Sequence, residues 1–196
     1  MVQSPPTPRA VSAARSREAL IDAALALSAR DGFDATTADQ IAERAGVSPR
    51  TFFRYFPTKE SVVFHRDYGF MRSFADAYLE QPASASDYDA LRATFVSLTE
   101  GFGALRSRIE TYRAAVDSSA VLVGREQEHF EDHATTIANA TVERRANASR
   151  DDARTLATIA LALYQRALRR WLAGPTHVEL ADLVDEEFRR LPPLVA

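Results

Sequence analysis

Cysteine is absent from the 196 residues, which removes disulfides, thiolate metal sites and cysteine nucleophiles together. Lysine occurs once, as Lys59, so an amine nucleophile has almost nowhere to sit. The 7 glycines form no Gly-x-Gly-x-x-Gly fingerprint, no phosphate loop and no Gly-x-Ser-x-Gly elbow. Paired acids such as Asp151-Asp152 and Glu186-Glu187 are expected at helix ends or on solvated faces. No apolar run approaches the roughly 18 residues that cross a membrane, and residues 1–15 lack the apolar stretch of a secretory signal. These lacks point away from an enzyme, a membrane protein or an exported one. The expectation is a cytoplasmic protein with no cofactor and no metal.

What is present favours helix. Hydrophobic residues make up 46% and charged residues 26%, a globular composition rich in alanine, leucine and arginine. The net charge of −3 is unevenly placed. Residues 1–66 carry 9 basic against 7 acidic side chains, and residues 67–196 carry 15 against 20. A mildly basic N-terminal part on an acidic body suits a chain whose first segment faces nucleic acid.

Residues 1–14 hold Pro5, Pro6 and Pro8 among small residues and read as a disordered tail. Arg9, Arg15 and Arg17 give this arm the means to touch DNA, and a tail with no role fits the same composition. From Ser16 the period becomes helical through Leu20, Ala24 and Leu27, with Gly32 as a stop. Thr37 with Gln40 forms a capping box for a second helix. Ser48 caps a third, with Pro49 at its first position, and Pro57 ends it. Thr58 is expected to cap a long helix to about Glu80. Further helices are expected from Ser86, around Ile109–Val116, over Ala120–Asn147, over 151–173, and from a Thr176/Glu179 capping box to Leu191. No strand pattern or internal repeat is visible. The fold class is all-α, with about nine helices.

The segment from Thr37 to Tyr55 contains two short helices joined at Ala45-Gly46-Val47-Ser48, a helix-turn-helix. Ile41, Ala42 and Val47 supply its small core. The second of these helices bears Arg50, Thr51, Arg54 and Tyr55, more donor-rich surface than a core helix exposes. Its N-terminal end is the part a recognition helix points at base edges, and Arg50 can pair bidentately with guanine. The helix starts at Thr37 and Thr58 offer free amides to phosphate, and Lys59 makes sense in a first helical turn if a phosphate lies there.

Thr36-Thr37, Ile41-Ala42, Ala45-Gly46-Val47-Ser48, Thr51, Phe56 and Lys59-Glu60 resemble, in order and spacing, the N-terminal signature of the tetracycline-repressor-like (TetR) family. The resemblance covers about Arg17–Val63. It implies a three-helix helix-turn-helix domain over 15–64 and a helical ligand-binding and dimerisation domain over 65–196. It implies a DNA-facing set of Thr36, Thr37, Val47, Ser48, Pro49, Arg50, Thr51, Phe53, Arg54, Tyr55, Thr58 and Lys59. One departure stands out: the family commonly places a phosphate-contacting tyrosine where this chain has Phe53, which has no hydroxyl to donate, though Tyr55 can compensate.

The implied function is a dimeric transcriptional regulator, a repressor released from palindromic operator DNA by a small effector. A helical interaction module that has lost DNA binding is the alternative. For the effector, Phe95, Leu98, Phe102, Tyr112, Val116, Phe130, His133, Ile137 and Tyr164 either line an apolar pocket or are core. The run Thr51–Pro57 and the helix layout also resemble TetR-like regulators that take acyl-thioester ligands, which would place Arg113 or Arg125 against an anionic group. His129 and His133 share a helix face, but Phe130 stands where a zinc-protease helix needs glutamate, so surface or pocket-lining roles are expected. Leu161, Leu168, Leu172, Leu180, Val184 and Phe188 are assigned to the dimer interface, or else pack within one subunit.

Overall fold

The computed structural model describes residues 7–64, 67–145 and 148–195. Among them are nine α-helices and two short 3-10 turns. The helices are α1 (Pro8–Asp31), α2 (Ala38–Arg44), α3 (Pro49–Tyr55), α4 (Asp67–Leu79), α5 (Asp87–Thr99), α6 (Arg106–Asp117), α7 (Ala120–Arg144), α8 (Arg150–Ala173) and α9 (Leu180–Val195). They form two compact units, one of residues 1–66 with 109–126, the other of 67–108 with 127–196.

In the first unit α1 packs on α2, and α2 on α3. Leu20, Ile21 and Ala24 of α1 meet Ile41, Ala42, Phe52 and Phe56, all essentially removed from solvent. Gly32, at φ 84°, ends α1 and turns Phe33 inward. The α6–α7 corner closes this core from outside the N-terminal sequence, through Ala115, Val116 and Leu122. Two hydrogen bonds fix it: the Phe33 amide donates to Ser118 Oγ at 2.9 Å, and Ser119 Oγ donates to Asp34 at 2.7 Å. Residues 109–126 therefore belong with the helix-turn-helix rather than with the body, where a boundary at residue 65 placed them.

Three further expectations are corrected. Helix α1 is already formed at Pro8, inside the segment read as a tail; residues 1–6 lie outside the described residues, as does the side chain of Arg9. The single helix expected from Thr58 to Glu80 is instead a 3-10 turn at Glu60–Val62 and, separately, α4. Val62, Val63 and Phe64 are all buried, and three consecutive residues cannot share one helix face, so the chain turns to bury them. The Thr176/Glu179 capping box does not form, because α9 starts at Leu180 and Thr176 lies in a turn.

In the second unit α5 and α8 both pack on α9, and α4 packs on α5. Ser86 and Ser149 cap α5 and α8 by accepting from the Asp89 and Asp152 amides at 3.0 and 3.4 Å. The C-terminal end of α8 is closed by Arg106, whose guanidinium lies 4.9 Å from the Trp171 ring and donates to the Leu172 and Gly174 carbonyls at 3.0 and 2.8 Å. Glu187 of α9 is 2% exposed and is met by Arg166 at 2.8 Å and by Arg170, both on α8. The hydrogen bond from Arg170 to Glu187 raises the arginine above its ordinary range.

Candidate nucleic-acid interface

The helix-turn-helix is assembled by local rules. Thr37 Oγ1 accepts from the Gln40 amide at 3.2 Å while Gln40 Oε1 accepts from the Thr37 amide at 2.8 Å, so both orphan donors at the start of α2 are satisfied. After α2, Gly46 takes φ 69°, and the Val47 amide returns to the Ala42 carbonyl at 2.9 Å. Ser48 Oγ then accepts from the Thr51 amide at 3.2 Å and lies 3.0 Å from the Thr51 hydroxyl. Pro49 occupies the first turn of α3, where no amide is missed.

Helix α3 has two unlike sides. Phe52 points inward at 0% exposure, and Phe56, just past the helix, follows it into the core. Pro49, Arg50, Phe53 and Arg54 are exposed. Arg54 leans on Tyr55: its guanidinium is 4.9 Å from the ring centroid and donates to the phenol oxygen at 3.3 Å. Arg17 of α1 lies 5.4 Å from the same ring, beside Tyr55 rather than on a free arm. The exposed face thus combines Arg50, Arg54 drawn towards Tyr55, and the apolar Phe53 ring.

The remaining members of the expected set divide. Val47 is half-buried, and Thr58 is exposed, with its hydroxyl accepting from the Ser61 amide at 3.3 Å. Thr36 and Lys59 turn inward. Thr36 is 3% exposed and its hydroxyl donates to the Gly32 carbonyl at 2.9 Å. The Lys59 ammonium donates to the carbonyls of Phe33 and Thr36, each at 2.9 Å. Its ammonium is thus held by carbonyl oxygens of the fold, where a phosphate partner was expected.

The body residues are also redistributed. Tyr112 and Val116 belong to the first unit, where the Tyr112 ring lies 6.3 Å from Phe64 and Val116 is core. In the second unit Phe95, Phe102 and Tyr164 do come together, linked through Phe70. Tyr164 stacks at 5.2 Å on Phe95 and 6.1 Å on Phe70, which meets Phe102 at 6.3 Å. Leu98 and Phe130 are half-buried and Ile137 is fully buried. An open depression of about 310 Å³ lies elsewhere, lined by Met71, Ala75, Asp76, His129, Asp132, His133 and Thr136; of the expected pocket residues only His133 borders it. Burial, with His129 6.2 Å away, pushes His133 down to about 4. Among the described residues no set of three His, Asp or Glu side chains converges as a metal site requires. Arg113 is paired with Glu126 and, at 2.7 Å, with Asp117, which removes it as a ready anion partner.

The dimer assignment is corrected in the same way. Leu180, Val184 and Phe188 are 0% exposed and Leu161 is 4% exposed within one subunit, taken up by the packing of α5, α8 and α9. Only Leu168 and Leu172 retain part of their surface.

Comparison with known proteins agrees with this architecture. Residues 20–65 match the model of bacterial regulatory proteins of the tetR family, and residues 88–195 match that of the MftR C-terminal domain. The regulator TcmR of Streptomyces glaucescens is 38% identical over 81 residues, 41% of this chain and 36% of that protein. The repressor KstR2 of Rhodococcus jostii is 34% identical over 101 residues, 51% of this chain and 50% of that protein. The aligned stretches thus span half or less of these relatives' own length. Among solved structures, the fatty acid degradation regulator FadR of Bacillus halodurans superposes with a TM-score of 0.62 at 19% identity, covering 96% of both chains. FadR of Thermus thermophilus, solved in complex with lauroyl-CoA, gives 0.52 at 23% identity, covering 90% of this chain and 93% of its own. With both of its units matched by models of such regulators, the chain belongs to the tetR family of bacterial regulatory proteins.

Proposed function

We propose that this chain is a DNA-binding transcriptional repressor that acts as a homodimer in the cytoplasm on a palindromic operator and is released by an apolar, acyl-type effector. The observation that carries the DNA-binding part is the exposed face of α3, where Arg50 and Arg54 stand outside a helix-turn-helix whose caps and core are complete. Among the described residues Arg50 has no hydrogen bond or ion pair that would be lost on turning to a guanine edge. Repression is supported by KstR2, named a transcriptional repressor.

Two recognition helices in a dimer would enter successive major grooves, roughly 34 Å apart. Leu168 and Leu172, still partly exposed on α8, are where a second copy would pack. The acyl character of the effector is supported by the lauroyl-CoA complex of the Thermus FadR and by the aromatic group around Tyr164, which an acyl chain would part. Such an effector weakens DNA binding only by its differential affinity for the two forms of the protein.

The test is to mix purified protein with fragments of its source genome and sequence what is retained at two salt concentrations. Enrichment of a short palindrome that fades as salt rises is expected. Retention without any common sequence would overturn the reading in favour of an interaction module.

A further inference from the structure

We infer that Phe53 reads thymine: its ring packs against the C5-methyl group of a thymine in the major groove of each half-site. This rests on the DNA-binding reading above. Phe53 is 54% exposed, against 0% for Phe52 and 1% for Phe56. The apolar needs of the unit are met by those two neighbours, and the Phe53 ring stands outside the core they close. It is not loosely held, because its edge-to-face contact with Phe52, at 5.2 Å and 80°, sets its direction.

Phe53 lies three residues after Arg50 and directly before Arg54, so it shares the exposed face of α3 with both. Arg54 is drawn towards Tyr55 and leaves the ring uncovered. A phenyl ring carried into the major groove gives up water and can make no hydrogen bond in return. Every base edge there presents donors and acceptors, and the one apolar group is the thymine methyl. Sugar carbons lie at the walls of the groove, and from its floor only the methyl projects as an apolar group. A cytosine at the same position carries only a hydrogen where the methyl stood, so the contact is lost there and the ring also discriminates.

The experiment uses the full chain and the operator duplex recovered from genomic fragments. Each thymine is replaced singly by deoxyuridine, which removes the methyl and leaves every hydrogen-bonding group in place. Affinities are measured for the natural protein and for Phe53→Ala, with circular dichroism confirming the fold; Phe53→Gln takes its place if alanine disturbs the helix. The natural protein is expected to lose about fourfold at one or two thymines per half-site, the worth of one buried methyl. The variant is expected to lose nothing at the same positions. Equal affinity for all uracil-substituted duplexes, or equal losses in protein and variant, overturns the inference and leaves DNA binding standing. If no operator sequence is recovered at all, the DNA-binding reading falls and this inference with it.

Discussion

The Lys59 ammonium sits 4.1 Å from the centroid of the Phe33 ring while donating to that residue's own carbonyl at 2.9 Å. With the bond to Thr36 it ties the segment after α3 to the turn after α1, more than twenty residues earlier. The only lysine of the chain thus holds the helix-turn-helix against the rest of its unit.

Lys59→Met keeps the stem and removes the charge, leaving two carbonyls without their donor. The expected loss is about 2–3 kcal/mol of stability. Thermal unfolding measures it, and the salt dependence of DNA affinity well below the melting temperature should stay that of the natural protein, since the ammonium faces inward.

Arg50→Ala removes an exposed side chain, so melting should be unchanged. Affinity for the operator should fall by about 1–3 kcal/mol per half-site, with binding to unrelated DNA much less affected. Titration of operator and scrambled duplexes separates the two. An operator affinity equal to that of the natural protein would show that Arg50 does not read bases.

Glu187 is buried between the arginines of α8 and α9, and its removal leaves Arg170 without its closest acceptor while Arg166 loses a 2.8 Å pair. Glu187→Ala is expected to destabilise the protein by about 1–2 kcal/mol, since the arginines left behind reach solvent and Arg170 keeps Glu186, read from chemical denaturation. Glu186→Ala, at the exposed end of the same network, should cost less than about 1 kcal/mol.

His133 carries a pH dependence. The folded protein holds it at about 4 against an ordinary 6.5, so as pH falls the unfolded chain takes up the proton first. Stability tied to this group is complete above 6.5 and is lost progressively down to about 4. Its partial exposure, and Asp76 and Asp132 around the same depression, limit the loss to about 1–2 kcal/mol. Melting temperatures of the natural protein and His133→Gln, compared across this range, should show the natural protein losing ground to the variant as pH falls.

Much of the fold was legible because its signals are local. Thr37 with Gln40, Ser48 with Pro49, Ser86 with Asp89 and Ser149 with Asp152 each announce a helix start within four residues, and each start is found where the pattern puts it. What was not legible depends on distant partners. An apolar stripe such as Leu180, Val184 and Phe188 reports that a helix face is buried and cannot say against what; here α5 and α8 of the same subunit take it. The attachment of residues 109–126 to the first unit hangs on Ser118 and Ser119, whose acceptor and donor roles have no sequence signature. The same holds for the helix-turn-helix: the exposed position of Arg50 on α3 follows from its place after Ser48-Pro49, whereas the inward turn of Lys59 depends on carbonyls of Phe33 and Thr36 brought to it by the fold. Tyr164 and Phe95 stand far apart in the sequence, and the stacking of their rings on each other has no signal there.

The central claim is tested most directly by the affinity of the full chain for its recovered palindrome and for a scrambled duplex, measured over a range of salt. The palindrome should be preferred by about a thousandfold or more, and both affinities should fall steeply as salt rises. Equal affinities for the two duplexes, or binding indifferent to salt, would contradict it.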